Sequence, residues 1–117
     1  MHEKLALVVF FDKIFKLKLE CYPPERLKRE IREITASCLD LKVWHIFFFG
    51  SRVRGDNFPR ADIDIGIEGP TELPAGVKLE LEEKLEKLPT LYKFDLVDFQ
   101  KVSDDFRKEA LQNTEAI

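Results

Sequence analysis

Two aspartates alternate with isoleucines in the segment DIDIGIE, residues 62–68. In an extended strand, residues two apart point to the same side with Cα atoms about 6.5 Å apart, so the carboxylates of Asp62 and Asp64 approach each other. Two such charges repel, and burying them unpaired is unfavourable. A bound divalent cation removes the repulsion, and oxygen ligands favour Mg²⁺ or Mn²⁺. The spacing therefore predicts a metal site, and the alternative is a solvated strand face on which Asp, a poor strand former, is tolerated.

A Gly-Ser pair, Gly50 and Ser51, directly follows an apolar run. Glycine lets backbone N–H groups approach a ligand closely, and a helical turn that begins at Ser51 directs its free N–H groups towards an anion. The serine hydroxyl can donate to the same anion, and three guanidinium groups follow in the sequence, on Arg52, Arg54 and Arg60. The segment predicts a phosphate site. The alternatives are an ordinary strand-to-helix turn and arginines that are merely solvated.

A third carboxylate on a neighbouring strand completes a site for two metal ions. Asp95 lies in the middle of LYKFDLVDF, residues 91–99, on the face that Val97 and Phe99 share, whereas Asp98 points to the opposite face and is the fallback ligand. A phosphate-binding turn that faces two ions held by three carboxylates is suited to in-line displacement at phosphorus. The sequence leaves open whether Asp95 also accepts the proton of the attacking hydroxyl.

Hydrophobic periodicity predicts the elements that position these residues. Residues 3–19 fit a helix, although their last part also suits a strand. The other predicted elements are helices over residues 24–38, 75–88 and 103–115, strands over residues 43–49, 62–68 and 91–99, and one helical turn that begins at residue 51. Strands and helices share one small core, so we expect an α+β (α/β) domain over residues 1–117, with helices packed on one face of a sheet.

Composition narrows the classes of protein. The 117 residues are 44% apolar, enough for one core, and the net charge of −3 gives no reason to expect nucleic-acid binding. Cys21 and Cys38 make no disulfide framework, and His2 and His45 are not clustered, so a zinc site is not expected. The apolar run at residues 5–11 is too short for a membrane span, and no signal peptide is evident. We expect a cytoplasmic protein without a membrane partner.

The gap of ten residues between the Gly-Ser pair and the Asp-x-Asp pair resembles the nucleotidyltransferase signature of the DNA polymerase β-like superfamily. The sequence FGSRVRGD…ADIDIGIE is similar to that of the minimal nucleotidyltransferases (MNT). The resemblance covers about residues 25–100. The resemblance implies a small mixed β-sheet with flanking helices. It also implies that Asp62 and Asp64 bind both Mg²⁺ ions, that Asp95 helps to hold the catalytic ion, and that Gly50 and Ser51 bind the terminal phosphates of the nucleotide.

Ala61 stands where family members often have Ser, which removes a hydroxyl contact but no metal ligand. MNT proteins are commonly antitoxins paired with a HEPN-domain toxin. The resemblance therefore implies transfer of AMP from ATP, or of another nucleotide, to a toxin tyrosine, and Arg54 and Arg52 are expected to offset phosphate charge.

Other interpretations remain beside this one. The chain is alternatively a non-catalytic antitoxin that neutralises a partner by complex formation, or an enzyme that modifies a small molecule such as an antibiotic, although that usually requires an added substrate domain. The apolar segment at residues 8–11 suits either core packing or an interface in a homo- or hetero-oligomer. The acceptor, the preferred nucleotide and the number of subunits stay open.

Overall fold

The computed structural model describes residue 19, residues 22–58 and residues 60–117. The predicted first helix, apart from its last residue, lies outside these ranges, and so does the apolar segment at residues 8–11. The structure therefore tests the sequence-based elements from residue 24 onward.

Within the described residues, the chain forms four helices and four strands that alternate along the sequence. They are α1 at Pro24–Ala36, β1 at His45–Phe49, α2 at Ser51–Arg54, β2 at Ile63–Glu68, α3 at Ala75–Glu86, β3 at Phe94–Asp98, α4 at Asp104–Ala110 and β4 at Glu115–Ala116. The predicted α+β class is confirmed. No helix in the described ranges is long and apolar enough to span a membrane.

The sheet has the strand order β3-β2-β1-β4. Strand β1 is antiparallel to both β2 and β4, whereas β2 and β3 are parallel, so the sheet is mixed, as the resemblance implied. This arrangement brings the end of β1 beside the beginnings of β2 and β3. We call this part of the sheet the site edge, because it gathers Gly50, Asp64 and Asp95 from three segments.

Helices α1 and α3 pack on one face of the sheet, where the alternating isoleucines of β2 are almost completely buried. The helical spacing in the sequence predicts which side chains the helices contribute, and Leu27, Ile31, Leu81 and Leu85 are indeed in this core. Burial of one such side chain contributes about 1.5–3 kcal/mol. The core therefore holds β2, with Asp64 in the strand and Asp62 just before it, in a defined register.

The opposite face carries aromatic side chains in addition to the acidic ones. Gly66 has no side chain, and the rings of Phe47 and Phe99 meet above it with their centroids 4.9 Å apart. Phe106 of α4 lies 6.0 Å from the ring centroids of both Phe49 and Phe99. Helix α4 therefore covers this second face, whereas the periodicity suggested helices on one face only.

The chain after α4 also differs from the prediction of a helix through residue 115. Ser103 caps the helix as expected, since its Oγ accepts the Phe106 N–H at 3.1 Å, but the helix ends at Ala110. Residues 115 and 116 instead pair with β1, and Glu115 forms a 2.9 Å ion pair with Lys28. Sheet hydrogen bonds to a distant segment outweigh local helix propensity here.

Candidate active site

The turn after β1 has a backbone that glycine alone adopts readily. Gly50 has φ 82° and ψ −161°, a combination essentially restricted to glycine, and helix α2 begins at the next residue. The predicted helical turn at Ser51 is thus confirmed. Gly55, at φ 85°, closes it by donating its N–H to the Ser51 carbonyl at 2.8 Å. The two glycines therefore define where this single turn starts and stops.

Gly50 lies directly against Asp64. Antiparallel pairing of β1 with β2 sets Phe49 opposite Asp64, so the next residue reaches the aspartate side chain. A methyl group at Gly50 would lie 3.0 Å from Asp64 Cγ and closer still to Oδ2. Any ligand that binds the backbone of this turn is consequently a neighbour of the Asp64 carboxylate.

The three predicted metal-binding aspartates lie in neighbouring segments at the site edge. Asp64 and Asp95 are register partners in the parallel pair of β2 and β3, and Asp62 lies two residues before Asp64. Asp62 and Asp95 are exposed, whereas Asp64 is half-buried. Burial and, in that order, the negative charges of Asp95 and Asp62 raise the pKa of Asp64 to about 6. The positive charges of Arg54 and Arg52 lower this pKa and offset part of the increase.

Among residues 22–58 and 60–117, no three His, Cys, Asp or Glu side chains stand in a geometry that encloses a metal ion. The donor set nevertheless fits a hard divalent cation, because it consists of carboxylate oxygens whose charges repel one another and sit beside a glycine backbone. Asp62, Asp64 and Asp95 are therefore the residues that would hold it.

Asp98, the fallback ligand, serves the core. It pairs in register with Ile67, is buried, and accepts the backbone N–H groups of Leu73 at 2.7 Å and Gln100 at 3.0 Å. A carboxylate with two such donors anchors the chain before α3 to the end of β3.

We expect Asp98→Ala to lower the free energy of unfolding by about 2–4 kcal/mol, because it leaves the buried Leu73 N–H and the partly buried Gln100 N–H without their acceptor. Urea unfolding followed by circular dichroism measures this change. The Mn²⁺ affinity of the variant should equal that of the wild type under native conditions, and a clear loss of affinity would mean that Asp98 belongs to the site after all.

The two arginines of α2 have different surroundings. Arg54 is exposed and forms a 3.4 Å ion pair with Asp56. Arg52 is 1% exposed, donates from Nε to the Ala61 carbonyl at 2.8 Å and places its guanidinium carbon 4.6 Å from the centroid of the Tyr92 ring. Arg54 is thus the arginine of this turn that faces solvent, and phosphate binding by Arg52 stays a prediction.

Arg60, the third predicted cation, is exposed in the loop before β2 and has a positive φ of 65°.

Sequence reasoning missed Tyr92 altogether. The one signal for it was its position three residues before Asp95, which does not reveal that its ring meets an arginine 40 positions earlier.

A small mixed sheet with a Gly-Ser turn beside an Asp-x-Asp strand defines the class of nucleotidyltransferases. The family model described as polymerase beta nucleotidyltransferase matches residues 29–117. The chain belongs to this family. A comparison with curated proteins gave no match.

Solved structures with the same fold are toxin–antitoxin complexes. One is a crystal structure of a toxin–antitoxin with AMP-PNP, which is 24% identical, has a TM-score of 0.63 and covers 76% of this chain and 70% of the other. A second is the toxin–antitoxin MntA–HpeT carrying two Asp→Glu mutations, with 22% identity, a TM-score of 0.62 and coverage of 75% and 69%.

A third is the tri-AMPylated Shewanella oneidensis HEPN toxin in complex with MNT antitoxin, with 22% identity, a TM-score of 0.58 and coverage of 76% and 66%. The fold of this chain thus resembles that of MNT antitoxins solved together with HEPN toxins.

Proposed function

We propose that this protein is a metal-dependent nucleotidyltransferase that transfers AMP from ATP to a tyrosine hydroxyl of a partner HEPN toxin and so acts as its antitoxin. The observation that carries the proposal is the contact between the Gly50 backbone and the Asp64 carboxylate, with Asp95 paired beside Asp64. This contact supports the proposal, because a turn suited to phosphate and a carboxylate suited to a metal ion are neighbours. Family membership supports nucleotidyl transfer, and the AMPylated toxin in one structural neighbour supports the acceptor.

The turn residues, Arg54 and the three aspartates have different roles in the proposed reaction. Backbone N–H groups at Gly50 and Ser51, with the Ser51 hydroxyl, bind the β- and γ-phosphates of ATP, and Arg54 offsets their charge. Asp62, Asp64 and Asp95 bind two Mg²⁺ ions, or Mn²⁺ in their place. Bound there, a divalent metal would supply positive charge that polarises the α-phosphate and lowers the pKa of the acceptor hydroxyl.

The acceptor oxygen forms a bond to the α-phosphorus as the bond to the leaving pyrophosphate breaks. Asp95, exposed at the site edge, is in a position to accept the hydroxyl proton. An exposed edge suits a macromolecular acceptor, because a protein side chain can enter it without a closed substrate pocket.

Incubation of the protein with α-labelled ATP, Mg²⁺ and the product of the adjacent gene, which we expect to be a HEPN protein, tests the proposal. We expect label on a tyrosine of the HEPN protein, no label in EDTA, and no label with the double variant Asp62→Asn/Asp64→Asn. Asp105→Asn is the matched control, since it removes an exposed aspartate in the first turn of α4 and should label the partner normally.

The competing function is neutralisation of a toxin by complex formation alone. The toxin–antitoxin complexes of similar fold are also consistent with this function. A tight complex without label, unchanged by Asp62→Asn/Asp64→Asn, would establish this competing function and overturn the transferase. Label on a small molecule instead of the HEPN protein would keep the transferase but overturn the proposed acceptor.

A further inference from the structure

Arg52 is the largest of the fully buried side chains in the described part of the chain. A guanidinium group is almost never completely buried unless it has specific partners, because removing its charge from water is costly. The side chain starts in α2, next to the predicted phosphate turn, yet it is directed into the protein rather than towards solvent.

The partners of Arg52 lie in the segments that carry the aspartates. Its Nε donates to the carbonyl of Ala61 at 2.8 Å, and Ala61 directly precedes Asp62. Its guanidinium carbon lies 4.6 Å from the ring centroid of Tyr92, which stands three residues before Asp95. One side chain thus joins the turn to the chain entering β2 and to the chain entering β3.

The chains entering β2 and β3 are also joined to each other. The Ile63 N–H donates to the Lys93 carbonyl at 2.8 Å, and these two residues closely follow Ala61 and Tyr92 in the sequence. Arg52 therefore completes a set of contacts among three segments next to the site edge: the turn, the chain entering β2 and the chain entering β3. A planar guanidinium suits this place because it can accept a stacked ring on its face while it donates in its plane, which an ammonium cannot do.

We propose that Arg52 is a positioning residue that holds the Gly50–Ser51 turn, Asp62 and Asp95 in the mutual arrangement that binds metal, and that it is not a ligand for phosphate. This inference rests on the proposed function for its catalytic consequence. Its metal-binding consequence stands without AMP transfer, because the aspartates must converge before any nucleotide reacts.

Mn²⁺ titration of the nucleotide-free protein, followed by calorimetry, is the first measurement. Residues that orient metal ligands typically change metal affinity or activity by 10–100-fold when replaced, so we expect Arg52→Lys and Arg52→Met to raise the Kd for Mn²⁺ by about 10-fold or more. Tyr92→Leu should weaken Mn²⁺ binding in the same direction, whereas Tyr92→Phe keeps the ring and should bind as the wild type does.

Kinetics separate positioning from phosphate binding. We expect kcat for AMP transfer to fall by about the same factor as the Mn²⁺ affinity in both Arg52 variants, with KM for ATP changed less than about twofold. The double variant Arg52→Lys/Tyr92→Leu should bind Mn²⁺ no more weakly than the weaker-binding single variant, because both changes break the same contact between Arg52 and the Tyr92 ring.

A phosphate ligand would behave in the opposite way. KM for ATP would rise, Mn²⁺ affinity without nucleotide would stay unchanged, Arg52→Lys would retain most of the activity and Tyr92→Leu would have no effect. That set of results overturns the proposal, and so does unchanged Mn²⁺ affinity in all Arg52 and Tyr92 variants.

Thr35→Ala controls for general loss of stability. Thr35 is buried in α1, where its hydroxyl donates to the Ile31 carbonyl, so its replacement should destabilise the fold without touching the site edge. If Thr35→Ala weakens Mn²⁺ binding as much as Arg52→Met does, positioning by Arg52 is refuted. Wild-type Mn²⁺ binding without AMP transfer would remove the proposed function but leave the Arg52 comparison valid, whereas a wild type that binds no Mn²⁺ would overturn both.

Discussion

Replacing Gly50 with alanine should lower the free energy of unfolding by about 3 kcal/mol and abolish measurable ATP binding. The backbone at φ 82° and ψ −161° costs a residue with a Cβ about 1–3 kcal/mol, and the new methyl group collides with the Asp64 carboxylate. Relief of the collision moves the turn or the aspartate, and we propose that both bind the nucleotide with its metal. Urea unfolding and calorimetric titration with ATP and Mg²⁺ measure the two effects.

Gly55→Ala provides the matched control for Gly50→Ala. Gly55 also has a positive φ, 85°, but a methyl group there meets nothing within 4 Å. We expect a loss of only about 1 kcal/mol from the left-handed backbone, with ATP binding retained. Equal effects of the two alanine variants would show that contact with Asp64 is not what makes Gly50 necessary.

A double-mutant cycle isolates that contact. In an Asp64→Ala background the methyl group at residue 50 has no carboxylate to meet, so Gly50→Ala should lose less stability there than in the wild type. The difference between the two backgrounds measures the collision, and no difference would assign the whole cost of Gly50→Ala to its backbone.

The second large effect is expected for Asp64→Asn, which should reduce AMP transfer by about 10³-fold while stabilising the metal-free protein. Metal ions supply several kcal/mol of transition-state stabilisation, and about 4 kcal/mol corresponds to this factor in rate. Stability should rise because the folded protein holds a half-buried carboxylate among the like charges of Asp95 and Asp62.

The gain in stability should depend on pH in a defined direction. The pKa of Asp64 is about 6 in the folded protein, above its ordinary value of 3.8, so folding favours the protonated form. Below pH 3.8 the group is protonated in both states and has no effect. From there to about pH 6 the metal-free wild type loses stability as pH rises, and the penalty is constant at higher pH.

Because Asp64 is partly exposed and screened by solvent, we expect this penalty to be about 1 kcal/mol. Asp64→Asn should remove the loss between pH 4 and pH 6, as measured by urea unfolding in EDTA across that range. Asp105→Asn, on the exposed start of α4, should follow the wild-type profile, and an Asp64→Asn profile identical to that of the wild type would refute the raised pKa.

The same pKa sets the acid limit of metal binding. A carboxylate must lose its proton to bind a cation, so Mn²⁺ affinity should fall by up to about tenfold per pH unit below pH 6 and level off above it. Calorimetric titration between pH 5 and pH 8 measures this dependence. An affinity that is constant over that interval would mean that Asp64 is already ionised at pH 5.

Several parts of the fold follow from short-range patterns. Alternation in residues 62–68 identifies β2 and the side of the sheet to which Asp64 belongs, and helical spacing identifies the buried faces of α1 and α3. These predictions succeed because periods of 2 and 3.6 residues determine which side chains share a face. The Gly-Ser turn is equally local, since only glycine readily adopts the backbone found at Gly50.

Other parts of the fold required long-range contacts. Glu115 and Ala116 are good helix formers by themselves, and their pairing with β1 makes them a strand instead. The position of α4 likewise depends on Phe106 meeting the ring of Phe49 in β1 and the ring of Phe99 just after β3. No local pattern contains this information.

For the site, the sequence predicts a chemistry from the carboxylates of Asp62, Asp64 and Asp95 and from a glycine turn with a serine, because residue type and strand alternation are local properties. Only the tertiary structure shows which of the other polar groups serve the core. Burial and pairing assign Asp98 to the chain before α3 and Arg52 to Ala61 and Tyr92. A buried polar group must find partners wherever the fold supplies them, and Ala61, Leu73 and Tyr92 lie 9 to 40 positions away in the sequence from the buried group that each contacts.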